Sequence, residues 1–175
     1  HPLSTEAMKI LFLGDVVGRA GRAAIISHLP QLRADWALDF VVVNGENATG
    51  GMGLSGAHAK DILNAGADVI TLGDHAFDQK DMLTHIDKDK RIIRPLNYAK
   101  TAPGAGARVF EASRGRKVLV AQSQTPLKEA PLSCEGVSAA LTPTTQSCLA
   151  PSTTPTPRMQ PLVIGTTSIA ISRAA

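Results

Sequence analysis

The hydrophobic positions in the first two thirds of the chain follow two alternating patterns. Short apolar runs at residues 9–14, 40–43, 68–72 and 91–95 are typical of strands buried on both faces. Between these runs, apolar residues recur at helical spacing near residues 23–36, 55–65 and 79–86. This βαβαβαβ order predicts an α/β fold, a layered sandwich with a mostly parallel central sheet flanked by helices.

The remainder of the chain predicts a hairpin and then a change of character. Residues 107–111 and 117–121 flank a turn-like stretch, as the two strands of a hairpin do. From 123 to 175 the chain contains 23 Ser, Thr or Pro residues and no His, Asp or aromatic residue. A segment so poor in large apolar groups buries too little surface to offset the entropy lost on ordering. We therefore expect it to be only loosely attached to the domain, except at residues 161–171. We therefore predict a leader or tag remnant at 1–7, an α/β domain at 8–122, and a divergent C-terminal segment at 123–175.

Composition excludes several classes of protein. The chain is 43% hydrophobic and 19% charged, and no apolar run approaches the roughly 20 residues that cross a bilayer. Its formal charge of +3 is spread without a basic run, so we expect no sequence-specific nucleic-acid partner, while small phosphorylated substrates remain compatible. Cys134 and Cys148 form no metal or redox motif. The absence of a secretory signal predicts a cytoplasmic protein, and an incompletely covered sheet is compatible with a homo-oligomer.

Three of the predicted strands end in polar side chains. Asp15 follows the first strand, Glu46 and Asn47 follow the second, and Asp74 with His75 follows the third. Parallel strands bring their carboxyl ends to one edge of the sheet, so these side chains should converge. Clustered carboxylates raise one another's pKa unless a cation neutralises them. We therefore expect divalent metal ions, as one ion or a pair.

Oxygen ligands indicate the metal and its chemistry. Carboxylates and an amide suit Mg²⁺, Mn²⁺ or iron, and a pair of such ions generates hydroxide and clamps the oxygens of a phosphoryl transfer. Glu46 is the candidate bridging ligand, and His75 is positioned to protonate a leaving oxygen or to bind a phosphate oxygen. Each residue taken alone could equally be a turn former or a helix cap. For Gly18 and Gly21, a tight strand-to-helix turn is favoured over a phosphate-binding loop.

These motifs resemble a known family, the calcineurin-like metallophosphoesterases, and within it the small bacterial branch described as 2′,3′-cyclic-nucleotide phosphodiesterases. The resemblance runs from Met8 to about Gln122 and is carried by the stretches at 9–18, 43–47, 71–75 and 94–98. It implies that Asp15, Glu46, Asn47 and Asp74 are metal ligands, and that His75 is the proton donor.

The sequence departs from the family pattern in two places. Family members carry Asn where this chain has Asp74, a change that adds negative charge. They also carry three further metal-binding histidines, whereas this chain has no histidine after His85. Thr167 and Ile169 stand where two of those imidazoles are expected. The resemblance therefore implies a metallophosphoesterase fold whose C-terminal part is incomplete, through truncation, frame alteration or degeneration.

Two hypotheses of different classes follow. The first is a hydrolase that cleaves a phosphodiester, such as a 2′,3′-cyclic nucleotide, or a phosphomonoester through a metal-bound hydroxide, with weakened metal affinity. The second is a non-catalytic remnant or a metal- or nucleotide-binding protein that keeps the fold. A nucleotide-binding regulator built on the turn from Gly18 to Gly21 is disfavoured, because no acidic residue follows at the distance that ribose binding requires.

Overall fold

The computed structural model describes residues 7–124, 161–164 and 167–172. Two four-stranded sheets and three helices make up this part of the chain. Cys134, Cys148 and most of the Ser/Thr/Pro-rich segment lie outside the described residues, as does the predicted leader up to residue 6. No helix in the described ranges combines the length and apolarity needed to cross a membrane.

The first sheet is entirely parallel. Its strands stand in the order β1 (Ile10–Leu13), β2 (Phe40–Asn44), β3 (Val69–Thr71) and β4 (Ile92–Ile93), which is also their order in the sequence. The helices between them are α1 (Gly18–Asp35), α2 (Gly56–Asn64) and α3 (Met82–Lys88). Because each right-handed crossover steps in the same direction, all three helices are placed on the same face of the sheet. The predicted α/β class is confirmed, and the three described α-helices lie on one face of the parallel sheet.

Side chains of β2 show how the layers are built. All five residues of this strand are buried, and alternate positions face opposite ways. Val41 and Val43 belong to the core between the sheet and the helices. Phe40 and Val42 pack instead on Val118 of the second sheet. An unbroken apolar strand is therefore required, because both of its faces meet other layers.

The second sheet is antiparallel. Its order is β5 (Ala107–Glu111), β6 (Lys117–Gln122), β8 (Thr167–Ser172) and β7 (Pro161–Ile164). The pairing of β5 with β6 confirms the predicted hairpin. Strand β8 pairs along the whole of β6, so the stretch singled out as the exception within the C-terminal segment does contribute strands. The division of the chain at residue 122 stays a prediction.

Three element boundaries differ from those predicted, the first being that helix α1 begins at Gly18 rather than near residue 23. Helix α3 begins at Met82 rather than near residue 79, because residues 79–82 form a turn in which the Met82 N–H donates to the Gln79 carbonyl at 3.0 Å. Strand β4 ends at Ile93, because the Arg94 N–H donates to the Ala105 carbonyl at 3.0 Å instead of extending the first sheet. Helix α2 is capped by Ser55, whose hydroxyl accepts the N–H of His58.

Candidate active site

The turn after β1 brings the first candidate ligand to the carboxyl edge of the parallel sheet. Asp15 has a φ of 41°, a left-handed conformation that costs a non-glycine residue about 1–3 kcal/mol and is concentrated at functional sites. The next residue is fixed by a bond from the Val16 N–H to the carbonyl of Asn44, 3.0 Å away. Asp15 is exposed, so its carboxylate is free to meet a ligand from solvent.

The glycines of this turn serve close packing. Gly18 has a φ of 56° and its N–H donates to the carbonyl of Asn47 at 2.9 Å. A Cβ on Gly21 would lie 3.0 Å from Cγ1 of Val16. Gly18 and Gly21 thus lie in the first turn of α1 rather than in a turn before it, and the contacts disfavour a phosphate-binding loop because the Gly18 N–H is already committed to the protein.

Asp15 and Asn47 are brought into direct contact. The Asn47 Nδ2 donates to Oδ1 of Asp15 across 2.7 Å, although the two residues are 32 positions apart. This bond leaves the amide oxygen of Asn47 as its unused polar atom. The predicted convergence is therefore present for this pair.

Glu46 and Asp74 form a second pair at the same edge. Burial raises the pKa of Glu46, and the carboxyl of Asp74 raises it further, while a bond from the Asn44 amide opposes the rise. Asn44 Nδ2 lies 3.3 Å from Oε1 of Glu46. The other carboxylate oxygen, Oε2, is buried and makes no hydrogen bond of normal geometry with any described residue. A carboxyl whose pKa is raised by burial and by a second carboxyl beside it is the electrostatic setting that a cation relieves.

Gly73 makes room for this carboxylate. A Cβ at Gly73 would clash with Oε2 of Glu46, so any larger residue would displace the acid. The carbonyls of Gly73 and Asp74 accept the hydroxyl of Tyr98 at 3.1 and 3.2 Å. Tyr98 thus fixes the backbone on which Asp74 is carried.

His75 is oriented by an acidic residue that the sequence analysis did not identify. Its Nδ1 lies 2.7 Å from Oδ2 of Asp78, and because a carboxylate can only accept, the proton resides on Nδ1. Its Nε2 lies 3.9 Å from Oδ2 of Asp74. The hydrogen bond to Asp78 raises the pKa of His75, and the nearby charge of Asp74 adds to the rise against the effect of desolvation. The only sequence signal for Asp78 was its position three residues after His75, within one turn.

A glycine-rich loop adjoins the candidate site. Gly50, Gly51 and Gly53 all have positive φ, and a bond of 2.9 Å from the Thr49 N–H to the Gly53 carbonyl closes the loop. A Cβ on Gly53 would approach Asp78 and Gln79 to 3.1 Å or less, so the loop packs directly on the turn that carries Asp78. At its tip, Met52 is 55% exposed, which leaves an apolar side chain beside the polar site.

The donor types fit a hard cation, whereas the described side chains do not form a closed metal cage. Among residues 7–124 and the described parts of β7 and β8, no three His, Cys, Asp or Glu side chains are grouped as a metal site requires. Asp15 with Asn47 and Glu46 with Asp74 are two contacting pairs, and no hydrogen bond or ion pair of the described residues joins them. The buried, unpartnered Oε2 of Glu46 and the amide oxygen of Asn47 are suitable ligands for Mg²⁺ or Mn²⁺.

Comparison with known proteins places the chain in a family. The sequence pattern of the YmdB-like protein family matches residues 11–135. The chain is 37% identical over 117 residues to a 2′,3′-cyclic-nucleotide 2′-phosphodiesterase of Bacillus subtilis (strain 168), covering 67% of this chain and 44% of that protein.

Two solved structures share the fold. A hypothetical protein from Thermus thermophilus superposes with a TM-score of 0.63 at 35% identity, covering 71% of this chain and 48% of that one. A structure described as a novel phosphatase of Mycoplasma pneumoniae superposes with a TM-score of 0.56 at 42% identity, covering 61% of this chain and 39% of that one. The chain thus spans less than half the length of each of these relatives. On the match to residues 11–135, and in agreement with the resemblance found in its motifs, the chain belongs to the YmdB-like protein family.

Proposed function

We propose that this chain carries the active-site edge of the sheet of a metal-dependent phosphoesterase. The substrate is a phosphodiester, with a 2′,3′-cyclic nucleotide as the leading candidate, or a phosphomonoester. The observation that carries the proposal is the meeting of Glu46 with Asp74, and of Asp15 with Asn47, at one edge of the parallel sheet. The relatives named as a phosphodiesterase and a phosphatase support the reaction class.

The proposed metal ligands are Asp15, Glu46, Asn47 and Asp74. Glu46 would be the bridging ligand if two metal ions bind. A divalent cation held there would lower the pKa of a water molecule and neutralise phosphoryl oxygens. Asn47 would bind through Oδ1, since its Nδ2 is committed to Asp15. Proton donation to the leaving oxygen would depend on His75 and on its contact with Asp78.

His75 is the proposed proton donor to the leaving oxygen. Asp78 holds Nδ1, so Nε2 is the ring nitrogen available to substrate. A raised pKa keeps the imidazolium populated at a higher pH than a free histidine would allow, which suits a general acid. Tyr98 holds the backbone carbonyls of Gly73 and Asp74 and thereby sets the distance between His75 and the ligand pairs.

A direct test compares the parent with Glu46→Gln on bis(p-nitrophenyl) phosphate and on 2′,3′-cyclic AMP, with and without added Mn²⁺. We expect turnover by the parent that requires Mn²⁺ and is abolished by EDTA, and a loss of at least about 100-fold in Glu46→Gln. Glu111→Gln is the matched control, because Glu111 is an exposed residue at the end of β5, remote in sequence from the strand-end cluster. Equal rates for Glu46→Gln and the parent would refute the assignment.

The second candidate, a non-catalytic protein that binds a cation or a nucleotide, is favoured by one observation. Among the described residues, no three His, Cys, Asp or Glu side chains are grouped as a metal site requires. Titration of the purified chain with Mn²⁺ distinguishes the two functions when it is combined with the hydrolysis assay. Binding accompanied by turnover supports the enzyme, and binding without turnover supports the second candidate.

A further inference from the structure

Two buried polar residues lie directly behind the candidate site. Asn44 and Thr71 are the last residues of β2 and β3, and they are register partners in the parallel pair. Asn44 is 7% exposed and Thr71 is fully buried. Alternation along each strand puts Asn44 on the face of Phe40 and Val42, and Thr71 on the face of Val69, which is the apolar layer between the two sheets.

Neither side chain is fully satisfied where it lies. Oδ1 of Asn44 and Oγ1 of Thr71 are buried and have no hydrogen-bond partner among the described residues. A buried polar group in this condition costs about 1–3 kcal/mol, and an apolar residue of the same shape is often the more stable choice. Departures of this kind from good packing are concentrated at functional sites.

The one hydrogen bond that Asn44 makes with its side chain indicates its role. Its Nδ2 lies 3.3 Å from Oε1 of Glu46. Asn44 holds Oε1 of Glu46, so the other carboxylate oxygen, Oε2, lies against Gly73 and near Asp74. A reversed amide would turn a carbonyl oxygen toward the carboxylate and repel it, so the orientation of Asn44 determines where Glu46 stands.

We propose that Asn44 and Thr71 are positioning residues for Glu46, with the Thr71 hydroxyl acting through the amide oxygen of Asn44. The inference rests on the proposed function, because it assigns these residues a purpose only if Glu46 is a ligand. A hydroxyl is the donor that Oδ1 of Asn44 lacks, and because neither atom has a partner among the described residues, the hydroxyl of its register partner would reach it through one water molecule. The amide is then fixed with Nδ2 toward Glu46.

The test separates positioning from structural stability. Thr71→Val keeps the shape and removes the hydroxyl, Thr71→Ser keeps the hydroxyl, and Asn44→Leu removes the amide donor. Mn²⁺ affinity is measured by electron paramagnetic resonance of the free ion, Tm by thermal unfolding, and kcat and KM on bis(p-nitrophenyl) phosphate. Thr101→Val is the control, since Thr101 lies in an exposed turn outside the strands.

We expect Mn²⁺ affinity to fall about 10- to 100-fold in Thr71→Val and in Asn44→Leu, the range typical of residues that orient metal ligands. We expect kcat to fall with it, KM to stay within about twofold, and Tm to be unchanged or higher in Thr71→Val, because an unsatisfied hydroxyl has been removed. Thr71→Ser should restore the parent affinity.

Three outcomes would overturn the inference. Parent-like Mn²⁺ affinity in both Thr71→Val and Asn44→Leu, while Glu46→Gln loses binding, removes the positioning role and leaves the proposed function intact. A fall in Mn²⁺ affinity of Thr71→Val that is accompanied by a fall in Tm assigns the residue to stability alone. A parent chain that neither binds Mn²⁺ nor hydrolyses the diester overturns the proposed function and this inference together.

Discussion

The Nδ1 atom of His75 lies 2.7 Å from Oδ2 of Asp78, one turn further along the chain. This contact fixes the tautomer of the ring and turns Nε2 toward the side of Asp74. It also joins the proposed proton donor to the glycine-rich loop, because a Cβ on Gly53 would lie 3.1 Å from Cβ of Asp78. Asp78 therefore supports both the proposed proton donor and the glycine-rich loop.

Replacing Asp78 with Asn tests that support. The amide can still accept a hydrogen bond, but it lacks the charge that holds the Nδ1 proton, so the ring loses its fixed orientation. We expect kcat on bis(p-nitrophenyl) phosphate to fall about 10- to 100-fold with little change in KM, since general acid catalysis contributes about 10²–10⁴-fold in total. Asp61→Asn on the exposed side of α2 is the matched control. Unchanged kcat in Asp78→Asn would show that the charge of Asp78 is not needed to orient His75.

Replacing Gly73 with Ala tests the position of Glu46. The added methyl would clash with Oε2 of Glu46, at the far end of a flexible side chain, so we expect the acid to move while the fold persists. A displacement of about 1 Å at a reacting centre can cost on the order of 100-fold in rate. Circular dichroism should show parent-like structure, and the hydrolysis assay should show the loss. Gly14→Ala, whose methyl meets the Phe12 ring at an ordinary 3.5 Å, should be much less affected.

Replacing Tyr98 with Phe removes the hydroxyl that is bonded to the carbonyls of Gly73 and Asp74. The ring remains, including its contact with Phe77, whose centroid lies 6.0 Å away. We expect the free energy of unfolding to fall by about 1 kcal/mol, the usual worth of one hydrogen bond, and Mn²⁺ affinity to fall a few-fold as Asp74 loosens. Denaturant unfolding and Mn²⁺ titration measure the two effects. Parent-like values for both would show that the hydroxyl is not needed to hold this turn.

The pH dependence of stability should contain a contribution from Asp89. Its carboxylate accepts Nε of Arg91 at 2.9 Å and Nη2 at 2.7 Å, and this bond lowers the pKa of Asp89 against the effect of burial. A lowered folded-state pKa gives stability that is present above the unfolded value of about 3.9 and is lost as pH falls through the folded value.

The measurement compares the parent with Asp89→Asn by denaturant unfolding at pH 7 and at pH 3. Because the Arg91 side chain is 49% exposed, we expect a difference of only about 0.5–1 kcal/mol at pH 7, and a smaller one at pH 3. A difference that grows as the pH falls would contradict the assignment.

Much of the fold could be predicted because local pattern and global position agree. The unbroken apolar run of β2 predicted a strand buried on both faces, and its alternate residues do belong to two different cores. The start of α3 was misplaced because residues 79–82 form a turn, closed by a bond from the Met82 N–H to the Gln79 carbonyl, which apolar spacing alone does not distinguish from a first helical turn.

The candidate site was predictable only in part, for a related reason. Asp15 and Glu46 were identifiable because parallel topology alone brings strand ends to one edge. The roles of Asn44 and Tyr98 could not be predicted. The bond from Asn44 to Glu46 and the bond from the Tyr98 hydroxyl to the Gly73 carbonyl depend on distances in the folded structure. Asp78 lay within one turn of His75, but spacing alone did not distinguish it from a turn former.

The central claim is that Asp15, Glu46, Asn47 and Asp74 together hold a divalent cation. Anomalous diffraction at the manganese edge, from crystals soaked in Mn²⁺, tests it most directly because it counts the ions and identifies their ligands. The account predicts at least one peak within coordination distance of Oε2 of Glu46, shared with Asp74 or Asp15 and lost in Glu46→Gln. Crystals in which the four side chains bind no manganese, or in which the ion sits elsewhere, would contradict it.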